Sequence, residues 1–451
     1  VTFASPLTSE QILSLAPDPA SAKAGGQLSA ANKWNGLGRS DSALWGECQG
    51  SGKDPYRTQI DLSEPAFKCS CPSRKFPCKH GLGLYLLVAA QPALFLQAEA
   101  PQWVTDWLQN RQQRQEKKVE KVRAHTPEQA EANAAQSRKR EEKREVKVAH
   151  GLAELQTWLE DLTREGLASV RSRGTGYWDL MAARMVDAQA PGLAGRLKRA
   201  GSLCFQSTAT DWERQLSREL ASIYMLSISF GRLGQLPLAL QNDVRGMIGW
   251  NLSQDEILAA PGVHDLWQVV AQRTDDDDRV KARRTWLRGQ ATGRWALVLH
   301  FAVGTQGFDK PLTTGTQFDG ELCFYPSAWP LRAMIKARSG FSPAASGCSS
   351  LPGLDTVLSE YSTALASNPF LERFPMILPD VVPDPGGAFV TASDDGSLLT
   401  LDGAFRHRWH LLAISGGHPV ALMGEWNGHT LLPLSIWHNQ RWHSFESDFG
   451  S

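Results

Sequence analysis

Residues 69–80 read CSCPSRKFPCKH, placing three cysteines and a histidine within twelve positions of a 451-residue chain. Such crowding leaves three chemistries: a disulfide, a catalytic thiol or a metal cage. Cys69 and Cys71 are one residue apart, a spacing that strains any bond between them. The seven cysteines are odd in number, and Cys48, Cys204, Cys323 and Cys348 are scattered, unlike the framework of a secreted disulfide protein. A thiol nucleophile needs one cysteine and a separate base. A tetrahedral zinc ion needs four Cys or His ligands, and Cys69, Cys71, Cys78 and His80 supply them as C-x-C-x6-C-x-H. The expected cofactor is one Zn²⁺.

The flanking residues suit a cage. TQIDL (58–62) alternates apolar and polar like a half-buried strand, and HGLGLYLLVAA (80–90) reads as a helix. Cys78 and His80 then fall at the helix start, where the positive end of the dipole favours thiolate. Lys68, Arg74, Lys75 and Lys79 offset the negative charge of three thiolates around a dication. The run CSCPSRKFPCKHGLGLYL, with Pro72 after the second cysteine and Lys79 before the histidine, resembles the SWIM zinc finger. The segment ALWGECQGSGKDPYRTQIDLSEPAFKCSCP is similar to that family's two strands before the first cysteine. The resemblance covers residues 40–95 and implies a small ββα-type finger with Cys69, Cys71, Cys78 and His80 as metal ligands. Four protein ligands leave no open position for water, so the zinc is expected to be structural and to supply much of the finger's folding energy.

The whole chain reads as α+β and multi-domain. Residues 1–110 form an N-terminal region containing the finger. Residues 111–149 form a charged helical linker, with 12 basic against 7 acidic residues over 111–147 and almost no apolar face. From His150 the apolar positions follow helical spacing, as in GLAELQTWLEDL, and an all-α unit is expected over 150–272, closed by a helix in DEILAAPGVHDLWQVVAQR (255–273). Beyond Arg283 the period changes to two, and 283–451 reads as a mixed α/β to β-rich antiparallel unit. Its strands are expected at 295–303, 316–326, 398–403, 409–417, 419–426 and 429–437. Helices are expected at 326–338 and 353–368.

Several polar groups invite a site. Asp187, Gln189 and Arg196 bracket Pro191–Gly192, where helix termination is the simpler expectation. Asp275 to Asp278 read as a hydrated loop. His407, His410, His418, His429, His438 and His443 crowd the C-terminal region without the spacing of a known cage. No phosphate-binding GxxxxGK[ST], HExxH or nucleophile elbow occurs, so no catalytic residue is expected and the chain is read as non-enzymatic.

Formal net charge is zero, from 47 basic and 47 acidic residues, so nucleic-acid binding must rest on a local patch. The first residues carry no signal-peptide pattern and no run approaches a membrane span; the expected location is the cytoplasm. The finger followed by a helical unit and FYPSAWPLRA looks like the long bacterial SWIM-finger proteins found alongside MoxR-type AAA+ ATPases. That resemblance implies an adaptor or accessory role, with protein partners, including an AAA+ ATPase system, and DNA as the candidate targets.

Overall fold

The structure is a computed structural model. It describes residues 7–50, 54–63, 66–123, 127–205, 212–250, 252–277, 280–303, 308, 312–344, 352–393 and 396–446, with the side chains of 114–140, 168, 276 and 277 outside that description.

The N-terminal unit begins with two short helices. α1 (Ser9–Leu13) starts in a capping box from Thr8 and Gln11, and α2 (Pro19–Gln27) starts at Asp18 with Pro19 in its first turn. Four strands follow: β1 (Trp34–Arg39), β2 (Ala43–Cys48), β3 (Tyr56–Asp61) and β4 (Ala66–Cys69). They form an antiparallel sheet in chain order. α3 (Lys79–Ala90) covers one face, and every residue from His80 to Val88 is buried. The small ββα-type finger expected from the sequence is thus one corner of a larger unit. Strands β1 and β2 and helices α1 and α2 enlarge its apolar core, which includes Trp34, Leu44, Ile60, Phe67, Leu82 and Tyr85 and runs on into Trp267 and Phe318 further along the chain.

Two long helices, α4 (Gln102–Arg123) and α5 (Pro127–Glu165), run through the charged segment. The C-terminal half of α5 packs with α6 (Thr175–Asp187), α7 (Pro191–Phe205), α8 (Trp212–Gly231) and α9 (Leu238–Ile248). Leu152, Leu155, Leu159 and Leu162 recur at three- and four-residue steps and bury against Trp178, Leu197 and Ile223. A Cβ on Gly192 would lie 2.1 Å from the Met247 carbonyl oxygen, so only glycine lets α7 begin against the end of α9. Asp187 and Gln189 are exposed where α6 ends, and Arg196 turns away from them to Glu219 at 2.9 Å and Glu372 at 3.0 Å. The segment terminates a helix and assembles no polar site.

α10 (Gln254–Ala259) is the last helix of this region, and β5 (Val263–Asp277) begins four residues later. The expected helix over 255–273 and the boundary at 272 are therefore corrected. A β-bulge between Val269 and Ala271 breaks the two-residue period and buries Val269, Val270 and Ala271 in succession, which imitates a helical apolar run. Asp275 to Asp277 are not a loop either: β5 extends through Asp277, and Asp275 pairs with Arg273 and Arg284, while Asp278 lies outside the described residues.

β5, β6 (Val280–Gly289), β7 (Trp295–Val303), β8 (Thr316–Phe324) and β9 (Arg332–Pro343) close into a barrel in the order β5-β6-β7-β9-β8. All contacts are antiparallel except the parallel pairing of β7 with β9. An order of first, second, third, fifth and fourth strands, with the third and fifth parallel, is the OB topology. Residues 326–338, expected as a helix, instead contain most of β9. Ala, Met, Lys and Arg favour helix locally, but pairing with strands on both sides overrides that preference.

After α11 (Leu354–Ser367), a six-stranded sheet completes the described residues. Its strands are β10 (Phe374–Pro383), β11 (Phe389–Ala392), β12 (Leu398–Thr400), β13 (Val420–Trp426), β14 (Leu431–His438) and β15 (Arg441–Ser444), in the order β12-β11-β10-β13-β14-β15. Residues 409–417, expected as a strand, instead hold most of a helix, α12 (Arg408–Ser415), which buries Leu411 and Ser415 one turn apart and ends at left-handed Gly416. The sheet packs on the barrel through Ile377, Met423, Leu434 and Trp442 against Val270 and Trp286. Glu425 enters this layer and accepts from Arg284 Nε at 3.0 Å and Trp286 Nε1 at 2.9 Å. α1 ties the start of the described chain to the same body: Ile12 is fully buried, Gln11 Nε2 donates to the Thr314 carbonyl at 3.3 Å, and Arg441 donates to Thr8 Oγ1 at 2.8 Å and pairs with Glu10.

Candidate metal centre

Cys69 ends β4, Cys71 lies two residues beyond it, Cys78 is the N-cap of α3, and His80 sits in the first helical turn. The sheet fixes one side, because Thr58 on β3 pairs directly with Cys69. The helix fixes the other. The intervening loop, Pro72 to Phe76, is exposed.

The four ligand atoms all lie within 4.8 Å of one another. His80 Nδ1 is 3.7 Å from Cys69 Sγ and 4.0 Å from Cys78 Sγ. A tetrahedral zinc with bonds of about 2.0–2.3 Å spaces its ligands about 3.6–3.8 Å apart. The cluster is therefore close to the size a single zinc ion requires, and its three sulfurs and one imidazole nitrogen are the donors zinc prefers. No carboxylate belongs to it, and it is the one such group of His, Cys, Asp or Glu among the described residues.

The electrostatics also fit a cation. A hydrogen bond from Cys78 is the main influence that brings the Cys69 thiol down to about 4, against burial, with His80 and Thr58 helping. Cys78 is pushed far up by donating to Cys69 and by burial, and burial raises Cys71. Without a metal, one thiolate is held by its neighbours and a second or third is opposed. A dication removes that opposition and draws all three sulfurs into the thiolate form.

All four sequence-derived ligands come together. Three neighbours carried no signal of their own. Thr58 Oγ1 lies 3.2 Å from Cys69 Sγ, the Tyr56 ring lies 4.9 Å from that of His80, and Cys48 is a buried free thiol whose ionisation is opposed by burial first and by Cys69 second. Thr58 was visible only as the first residue of an expected strand and Tyr56 lay before it; the register of β3 on β4 places Thr58, and its register on β2, with Tyr56 opposite Cys48, places Tyr56. The C-terminal histidines form no such group: His407 and His410 approach as a pair with ring centroids 5.5 Å apart, as do His438 and His443 at 6.0 Å.

Outside the centre, Lys68, Arg74, Lys75 and Lys79 are exposed, together with Phe76. Lys75 pairs with Asp18 at 2.8 Å. No described helix is long and apolar enough to cross a membrane.

Comparison with protein families identifies two segments. The SWIM zinc finger matches residues 56–89, which hold β3, β4, the four ligands and nearly all of α3. The SWIM-associated four-helix bundle domain matches residues 143–248, from within α5 to the end of α9. Neither curated proteins nor solved structures give a match.

Proposed function

We propose that the chain is a non-enzymatic adaptor whose finger, shaped by a structural zinc ion, offers a basic surface to DNA phosphates. The observation that carries this reading is the loop between the ligand pairs. Metal coordination at Cys69, Cys71, Cys78 and His80 fixes both ends of an exposed segment. Lys68, Arg74 and Lys79 surround it and make no ion pair among the described residues. Three cations on and beside a rigid loop suit a polyanion, and the zero net charge of the whole chain keeps the attraction local. Four protein ligands leave no coordination position for a reacting water, which supports a structural rather than catalytic metal.

The test is fluorescence anisotropy of the full zinc-loaded chain with labelled duplex DNA at several salt concentrations. Binding should weaken steeply with salt. Replacing Lys68, Arg74 and Lys79 by Ala should reduce the slope of log affinity against log salt by about 3, roughly one for each phosphate no longer neutralised. Salt-independent binding, or binding indifferent to the three substitutions, would refute the reading.

A second reading is a protein-docking role in the cytoplasm beside an AAA+ ATPase of the MoxR type. It is favoured by Trp409, which is 73% exposed on α12, since tryptophan is over-represented among residues that dominate protein interfaces. Co-purification that survives nuclease and is lost with Trp409→Ala would support it.

A further inference from the structure

We infer that the cleft where the helical unit, the barrel and the approach to the C-terminal sheet meet binds a small organic cation: an ammonium or guanidinium group on a short apolar body. No residue of the finger takes part.

The cleft holds about 440 Å³. Sites of about 300–1,000 Å³ suit small ligands and favour junctions between domains. Each unit here supplies part of the wall. α9 contributes Asp243, Gly246 and Met247, which three- and four-residue steps set on one side of the helix. The connection between β8 and β9 contributes Tyr325 and Trp329, and the approach to β10 contributes Phe370. A Cβ on Gly246 would meet nothing within 4 Å, so the space over α9 at this point is open rather than packed.

Charge selects the ligand. Four carboxylates line the cleft, on Glu141, Glu145, Asp243 and Glu372, against three guanidinium groups, on Arg245, Arg332 and Arg373. Arg245 is drawn to Glu145 at 3.0 Å and Arg373 to Glu425 at 3.5 Å, while Arg196 holds Glu372 at 3.0 Å. Asp243 differs from the acids so paired. Its carboxylate accepts from the Ala328 amide at 2.8 Å and bonds with the side chains of Ser327 and Asn368, yet it forms no ion pair among the described residues. Burial pushes its carboxyl above the ordinary aspartate range. A cation placed at this carboxylate would offset that cost. An anion would instead approach four carboxylates. Arg332, which has no acid partner among the described residues, is exposed and lies over Tyr325 at 4.1 Å.

The rings suit the rest of the ligand. Trp250 already carries Arg144 at 4.5 Å and Tyr325 carries Arg332, but no arginine stacks on Trp329 or Phe370 among the described residues. Ring faces attract organic cations and cover their apolar stems. A neutral apolar ligand would use the rings and leave Asp243 without a charged partner. A free amine presents such a group, and so does a lysine or arginine side chain of a partner protein, each on an apolar stem.

The test is a ligand-observed NMR titration of the full zinc-loaded chain with phenethylammonium near neutral pH. Phenethyl alcohol serves as the neutral probe and phenylpropionate as the anion. The ammonium should bind, and the other two should bind about tenfold more weakly or worse. Asp243→Asn keeps an acceptor for the Ala328 amide but removes the charge, and should weaken ammonium binding about tenfold or more. Gly246→Leu fills the open space and should abolish binding; leucine favours a helix over glycine, so the fold is retained. Circular dichroism reports folding, and should Asp243→Asn fail to fold, Gly246→Leu decides. A tripeptide with blocked ends and a central arginine separates the sources: binding tighter than that of phenethylammonium identifies a partner's side chain, and weaker binding identifies a free amine. Three outcomes overturn the inference: no binding of either cation at millimolar concentration, the alcohol or the carboxylate binding as well as the ammonium, or a folded variant of Asp243 or Gly246 that binds like the parent.

Discussion

Cys69, Cys71, Cys78 and His80 span twelve residues of chain, whereas the pairings that close the barrel join Val263 to Leu322 and Leu297 to Arg332. Both regions hold short strands at fixed angles. The finger's zinc end uses local side chains whose donor atoms converge on one point. The barrel uses backbone pairing between distant segments, filled by Trp267, Val269, Leu287 and Phe318. The difference teaches that a region can be shaped by one chemical event or by many distributed contacts, and that each should fail in its own way.

The largest expected effect comes from the metal. Structural zinc contributes on the order of 10 kcal/mol to small metal-dependent domains. Chelation, or Cys71→Ser, should release residues 66–80 to protease. The sheet's apolar core around Trp34, Leu44 and Leu82 does not depend on the ligands, so the rest of the N-terminal unit, and the barrel with it, should stay protected. Limited proteolysis with mass mapping would show it, and cleavage throughout residues 40–95 would mean that the metal governs the whole unit.

Next come losses distributed through the barrel. Glu425→Ala leaves the Trp286 N–H without its acceptor and the buried Arg284 with Asp275 alone, and should cost about 3–5 kcal/mol, the usual penalty for breaking a buried pair from one side. Chemical denaturation should show this loss while zinc content stays unchanged. Ile12→Ala, at a fully buried position, should cost about 2–5 kcal/mol, read in the same denaturation series.

A smaller effect belongs to Asp265. Its carboxylate accepts from the Leu266, Ala291 and Thr292 amides at 2.7, 3.0 and 2.9 Å and from the Thr292 hydroxyl. Burial opposes ionisation, but these bonds outweigh it and hold the group below the ordinary aspartate range. Its contribution is therefore complete above the unfolded pKa of about 3.9 and is lost as pH falls through the lower folded value. Asp265→Asn should cost about 1–3 kcal/mol and flatten the decline of stability below pH 4, as followed by urea midpoints. Zinc affinity should not change.

The same contrast explains what was legible in the sequence. The metal centre could be read outright, because its ligands, Pro72 and Lys79 are consecutive or nearly so. The helical unit was readable from three- and four-residue spacing at Leu152, Leu155 and Leu159. The barrel was not. Its first strand hides behind the bulge at Val270, its last is composed of helix-favouring residues, and closure depends on pairings that no local window contains. The first strand of the finger sheet was missed for a related reason: Gly36 and Gly38, with the bulge between Asn35 and Gly38, blur the alternation of β1.

The clasp made by α1 has a consequence in time. Arg441 and Glu10 are 431 residues apart in the chain, and contacts of such separation must await closure of everything between them. We expect them to form after the main folding barrier and to be absent from its transition state. Removing them should leave the refolding rate nearly unchanged and speed unfolding. The first described helix thus acts as a latch on the native state, governing how long the molecule stays folded rather than how fast it folds.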